Sequence, residues 1–162
     1  MPNLTYPVLC FSSGSVNVCF DFKQLVSANR LGLKSGYFDD LLIVDSNLVA
    51  HKVRGATKLR GRGFLRGWGT FLNQKIEVKL NFEEPAFSVR LDEIKDRTLR
   101  IVEVQHGWET RGDFDWLKMA VQNATSVREI VSAIYHGQPV EESFQQDGRD
   151  DSGSGVKHSA EP

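Results

Sequence analysis

Cysteine is scarce in this chain, with Cys10 and Cys19 the only two in 162 residues. That scarcity excludes the disulfide framework by which small secreted domains are stapled. Both cysteines lie in apolar, strand-like sequence, which suits buried free thiols in a reducing compartment; a single bridge between adjacent strands is the alternative. Long apolar runs are missing too, none approaching the roughly 18 residues of a membrane span. The start Met1-Pro2-Asn3-Leu4-Thr5-Tyr6-Pro7 has no Lys or Arg before its apolar residues and does not read as a secretory signal. The expectation is a cytoplasmic protein with no membrane partner.

Catalytic signatures are equally thin. There is no P-loop, no Gly-x-Ser-x-Gly and no Gly-x-Gly-x-x-Gly after a strand, which disfavours nucleotide-dependent and nucleophilic enzymes. His51, His106, His136 and His158 are far apart, with no Cys-x-x-Cys or His-x-x-x-His spacing, so neither a metal site nor a cofactor is expected. Glu103-x-x-His106 is half of a carboxylate-bridged metal motif without its other half. Near a helix end, His106 is more simply a partner for the helix dipole.

The most informative absence is of acidic residues. None occurs between Asp45 and Glu77, while Lys52, Arg54, Lys58, Arg60, Arg62, Arg66 and Lys75 fall in that stretch. The remainder holds 13 basic against 21 acidic side chains, so a net charge of −1 conceals two oppositely charged parts. Within the stretch, Arg60-Gly61-Arg62-Gly63-Phe64-Leu65-Arg66-Gly67-Trp68-Gly69 alternates arginine with glycine and two aromatics. It has three readings. It could be a hairpin whose arginines are only the solvated face and whose glycines serve bends or bulges. A protein-binding patch is the second, since Arg and Trp are enriched among binding hot spots. The third is a nucleic-acid surface over 52–68, with arginines on phosphates and Phe64 and Trp68 as stacking faces.

The rest of the sequence gives the fold. Val16, Val18, Phe20 and Phe22 alternate with polar residues as a strand does, and Leu4 to Phe11 is its hairpin partner across the turn cluster Ser12-Ser13-Gly14-Ser15. Phe22 to Arg30 reads as a short helix with Gly32 past its end. Asp39 to Val44 and Leu48 to Val53 form a second hairpin around Asp45-Ser46-Asn47. Ile76, Val78, Leu80 and Phe82 make the clearest strand, ended by Pro85. Beyond it the spacing turns to three and four: a helix from about 90 to 106, another over 114–123 behind Asp113, and a third behind the capping box Ser126 and Glu129, ended by Gly137 and Pro139. Trp108 and Trp116 bracket a loop and are expected to pack in the core, with a recognition loop as the alternative. Residues 141–162, rich in acid, Gln, Gly and Ser, are expected to be a disordered acidic tail. The reading is one α+β domain over 1–140: an N-terminal antiparallel sheet of hairpins packed by C-terminal helices.

The functional expectation is a small non-enzymatic protein-interaction module. Its basic β-region, with Lys58, Arg60, Arg62, Phe64, Arg66 and Trp68, is the contact surface for an acidic protein partner. A nucleic-acid binder using the same segment is the alternative. A third reading is a Mg²⁺-dependent nuclease in which Glu77-Val78-Lys79 joins an upstream carboxylate, either Asp45 or Asp39 with Asp40.

Overall fold

The computed structural model describes residues 2–61, 75–104 and 114–137. Those residues form a seven-stranded antiparallel sheet from β1 (Val8–Phe11), β2 (Val16–Cys19), β3 (Ser27–Asn29), β4 (Leu41–Val44), β5 (Val49–Gly61), β6 (Lys75–Phe82) and β7 (Phe87–Ser88). The spatial order is β2-β1-β4-β5-β6-β3, with β7 pairing β5 off this path. Two short helices, α1 (Phe22–Leu25) and α2 (Arg30–Lys34), flank β3, and three longer ones follow the sheet: α3 (Leu91–Val104), α4 (Phe114–Asn123) and α5 (Val127–Gly137). Strands first and helices after is the α+β arrangement that the sequence patterns indicate. No helix among the described residues is long and apolar enough to cross a membrane.

Strand alternation divides the core in two. In β1 and β4 all residues are buried, as expected of strands covered on both faces. Leu9, Phe11, Leu42 and Val44 face the helices, where they meet Ile94 and Val102 of α3, Leu117 and Val121 of α4, and Ile130 and Ile134 of α5. Val8, Cys10, Leu41 and Ile43 turn the other way, into the concave side of the curled sheet, with Val53, Ile76, Val78, Leu80, Leu25 and Phe38. The helices therefore cover only the β1, β2 and β4 side and the start of β5. The outward residues Lys75, Lys79 and Asn81 of β6 are exposed.

The stretch read as one helix from Phe22 to Arg30 is in fact broken. Asp21 caps α1 by accepting from Gln24 N at 2.7 Å, while Gln24 Oε1 accepts from Phe20 N at 2.7 Å. After one turn the chain extends as β3 and pairs with β6, Ala28 opposite Ile76. Asn29 then caps α2, its Oδ1 accepting from Gly32 N at 2.6 Å. The edge of β6 offers backbone partners that a continued helix would leave unused, and the two Asx caps fix where each helix starts. The β2 assignment is shortened as well: the strand ends at Cys19, and Phe20 and Phe22, expected on its core face, are exposed. Trp116 is 48% exposed on α4 instead of packing in the core, and Trp108 lies outside the described residues.

β5 is long because it bends. Its register on β6 shifts between Val53 and Ala56 and again between Lys58 and Arg60. Gly55 sits in the first bulge at φ 148, and a Cβ there would stand 3.3 Å from Asp39 Oδ1. Only glycine accepts both that backbone angle and that close approach at low cost.

Candidate functional site

Of the basic segment, β5 holds Lys58 and Arg60, while Arg62, Phe64, Arg66 and Trp68 lie outside the described residues. Lys58 is exposed, and the neighbouring Leu59 is 58% exposed beside the second register shift. Across the ribbon, Thr57 stands opposite Lys79, Lys58 opposite Val78 and Arg60 opposite Glu77. The acid-free stretch is therefore not acid-free in space, because β6 and the turn after it supply carboxylates. Arg54 Nη2 lies 2.9 Å from Glu83 Oε1, an exposed pair that raises the arginine's pKa and lowers the glutamate's. Lys52 leans toward the ring of Phe87 at 6.0 Å. Lys58 and Lys79, which alternation places on opposite faces of the ribbon, form no ion pair among the described residues.

The nuclease arrangement does not assemble on Asp45. This carboxylate is 2% exposed, and its oxygens accept from the backbone N–H groups of Thr5 at 3.2 Å, Asn47 at 2.9 Å and Val49 at 2.9 Å. Three backbone donors make it the organiser of the β4–β5 turn. Glu77 faces Arg60 at the far end of β5, whereas Asp45 precedes the start of that strand. The two carboxylates thus stand near opposite ends of the 13-residue β5. Asp39 lies against the backbone of Gly36 and Gly55 in the bend, and among the described residues no three His, Cys, Asp or Glu side chains converge as metal ligands. Glu103 instead sits 3.6 Å from Lys118 of α4, and His106 lies outside the described residues.

A feature of another kind occupies the concave side of the sheet. A cavity of about 350 Å³ opens between β1, β2 and the α1–β3–α2 segment, within the size range of small-ligand sites. Its walls include Leu25, Ala28, Phe38 and Leu41, with Asn17, Gln24, Ser27, Asn29 and Tyr37 as polar groups, and no charged side chain among the described residues. The Asn17 amide donates to the Tyr37 hydroxyl at 2.9 Å. Burial pushes the Tyr37 phenol up to about 12, so it stays protonated at neutral pH.

Both cysteines line this cavity. The β1–β2 register sets Val8 opposite Cys19 and Cys10 opposite Asn17, so the cysteines are diagonal neighbours on one face. They are free thiols, the Cys10 S–H pointing to the Cys19 sulfur across 3.9 Å. That donated hydrogen bond pulls the pKa of Cys19 below its ordinary value, although burial and the Asp21 carboxylate act against it. Cys10, the more deeply buried, is driven up by the same bond and by desolvation. The two are therefore unequal: Cys19 is the thiol that ionises first. Free thiols in adjacent strands are legible in the sequence, but the cavity is not, because the break between α1 and α2 that forms its wall has an apolar pattern that also fits one helix.

Comparison of the chain with protein-family models, with curated proteins and with solved structures returns no match.

Proposed function

We propose that the protein is a non-enzymatic interaction module whose basic β5–β6 ribbon contacts an acidic protein partner. The observation that carries this reading is the half of the sheet that none of the described helices covers. There Lys75 and Lys79 are exposed on one face of a two-strand ribbon and Lys58 on the other, beside the 58% exposed Leu59. An apolar side chain set among lysines suits a protein surface, where a hydrophobic contact supplies affinity and the charges steer approach. A nucleic-acid surface relies instead on phosphate contacts and on stacking faces.

The test is a pull-down from source lysate with the whole chain as bait, with and without nuclease treatment, followed by a salt series on what is recovered. A partner retained after nuclease, whose association slows with salt and which the Lys58→Gln/Lys79→Gln double variant fails to hold, supports the reading. Recovery of nucleic acid alone, or of a protein that binds the double variant as tightly as the parent, rejects it.

A further inference from the structure

We propose that the cavity on the concave side of the sheet is a thiol–disulfide exchange site, in which Cys19 attacks a small uncharged disulfide and Cys10 resolves the product. Three features of the molecule meet there. The two sulfurs stand 3.9 Å apart on neighbouring strands. A disulfide bond is about 2.0 Å long, so closure needs an approach of about 2 Å. β2 ends the strand order and is held by the sheet on one side only, which leaves it the freer of the two strands to make that shift. The cavity supplies room beside both sulfurs, and its lining among the described residues is of amide, hydroxyl and apolar groups without charge, hence the expectation of an uncharged reactant.

The roles follow from the difference between the thiols. Cys19 is partly exposed, and its thiolate is favoured by the Cys10 S–H, as an attacking sulfur requires; the proton it gives up passes to solvent. Its sulfur attacks one sulfur of the disulfide RSSR, forming a Cys19–S–SR mixed disulfide and expelling RS⁻. Cys10 then loses its proton to the leaving thiolate and attacks the Cys19 sulfur, closing Cys10–Cys19 and releasing the second RS⁻, which is protonated by water. In balance, the protein dithiol loses two hydrogens and one disulfide becomes two thiols. The titratable groups facing the pair are Tyr6 and Tyr37, whose buried phenols stay protonated and uncharged, and the nearby Asp21 carboxylate, which together with burial disfavours negative charge on Cys19. The hydrogen bond between the thiols is what opposes that effect.

The experiment mixes the reduced, folded whole chain with 2-hydroxyethyl disulfide and follows intact mass and circular dichroism. The expected product of the parent is two hydrogens lighter, carries no adduct and keeps its native spectrum. Cys10→Ser should stop at a single hydroxyethylthio adduct on Cys19, while Cys19→Ser should react at least about tenfold more slowly, since the attacking thiol is gone and the remaining one is buried. The proposal is overturned if the parent accumulates adducts on both cysteines, if it reacts only after denaturant is added, or if Cys19→Ser reacts as fast as the parent. Should either variant fail to fold, the mass of the parent product still decides: an internal disulfide formed in the folded chain supports the site, and persistent adducts or no reaction refute it.

Discussion

On the helix side of the sheet, Ile130 and Ile134 of α5 are fully buried among Leu117, Val121, Leu9 and Val44, all of them apolar. On the concave side, Leu25 is nearly as buried, yet it lines a cavity together with two thiols, a phenol and three carboxamides. Both sets hang on the same strands, β1 and β4, and differ only by the alternation of neighbouring residues. The difference comes from what closes each face. Three amphipathic helices of 14, 10 and 11 residues can cover one side with continuous apolar stripes. The other side is closed by single-turn helices around a three-residue strand, which cannot fill the curl. Close packing gives one face its stability, and incomplete packing gives the other room for chemistry.

Truncation should expose that inequality most strongly. Ile130→Ala leaves a void between helix and sheet that nothing can fill, and it should cost about 3–5 kcal/mol in urea titration. Leu25→Ala only enlarges a space that water already reaches, so its cost should fall near the low end for such changes, about 2 kcal/mol. Equal losses would mean that the concave side is packed as tightly as the helix side.

Enlargement sharpens the contrast with a smaller effect. Ala133 is buried in the helix-side cluster, and Ala133→Val should destabilise by about 1–3 kcal/mol through overpacking. Ala28 borders the cavity from β3, and Ala28→Val should be tolerated to within about 1 kcal/mol because the added methyls enter open space on a strand that favours β-branched residues. Thermal melts of the two variants side by side read the comparison directly.

The start of α5, which anchors the helix side, should give an effect of roughly 1 kcal/mol. Ser126 Oγ accepts from Glu129 N at 3.3 Å, the half of the capping box that the sequence announces, so Ser126→Ala should cost about that much and Ser126→Gly less. The other half is displaced by one residue, since the Glu129 carboxylate accepts from the backbone N–H of Thr125 at 2.7 Å and from its hydroxyl at 2.9 Å. These bonds hold the folded-state pKa of Glu129 below its ordinary 4.5. The sign follows: the contribution is complete above about pH 4.5 and fades as pH falls through the lower folded value. Glu129→Gln should therefore flatten the acid limb of stability against pH. An unchanged limb would show that these bonds form equally well with the protonated acid.

Legibility followed the same division. The strand Ile76 to Phe82 and the helices of the C-terminal half were plain in the sequence because each meets its neighbours through one long periodic face, which is what a local pattern encodes. The 22–34 segment was not. Its apolar residues fit a helix as well as a short strand, and only the open edge of β6, about 50 residues away in sequence, decides between them. The caps at Asp21 and Asn29 were the available signal, as each is an Asx residue whose side chain can accept an N–H three positions on. The charge asymmetry was legible as composition but not as a surface, because Glu77 and Glu83 return to the basic strand through pairing across the sheet.

The smallest effect on folding is expected where function is proposed. Lys58 and Lys79 project from the two faces of the β5–β6 ribbon where no described helix covers it, and neither is paired with an acid among the described residues. Replacing either with Gln should change stability by no more than about 0.5 kcal/mol, because an exposed side chain without a partner leaves nothing unsatisfied behind it. The two replacements should also combine without excess, since their positions are not opposite each other in the β5–β6 register. Urea titration of both single variants and the double checks this. A loss well beyond that range would mean that the lysine stems pack on the ribbon and help hold it flat. The bare half of the sheet would then be a structural surface like the helix side, and the contact proposed for it would lose its basis.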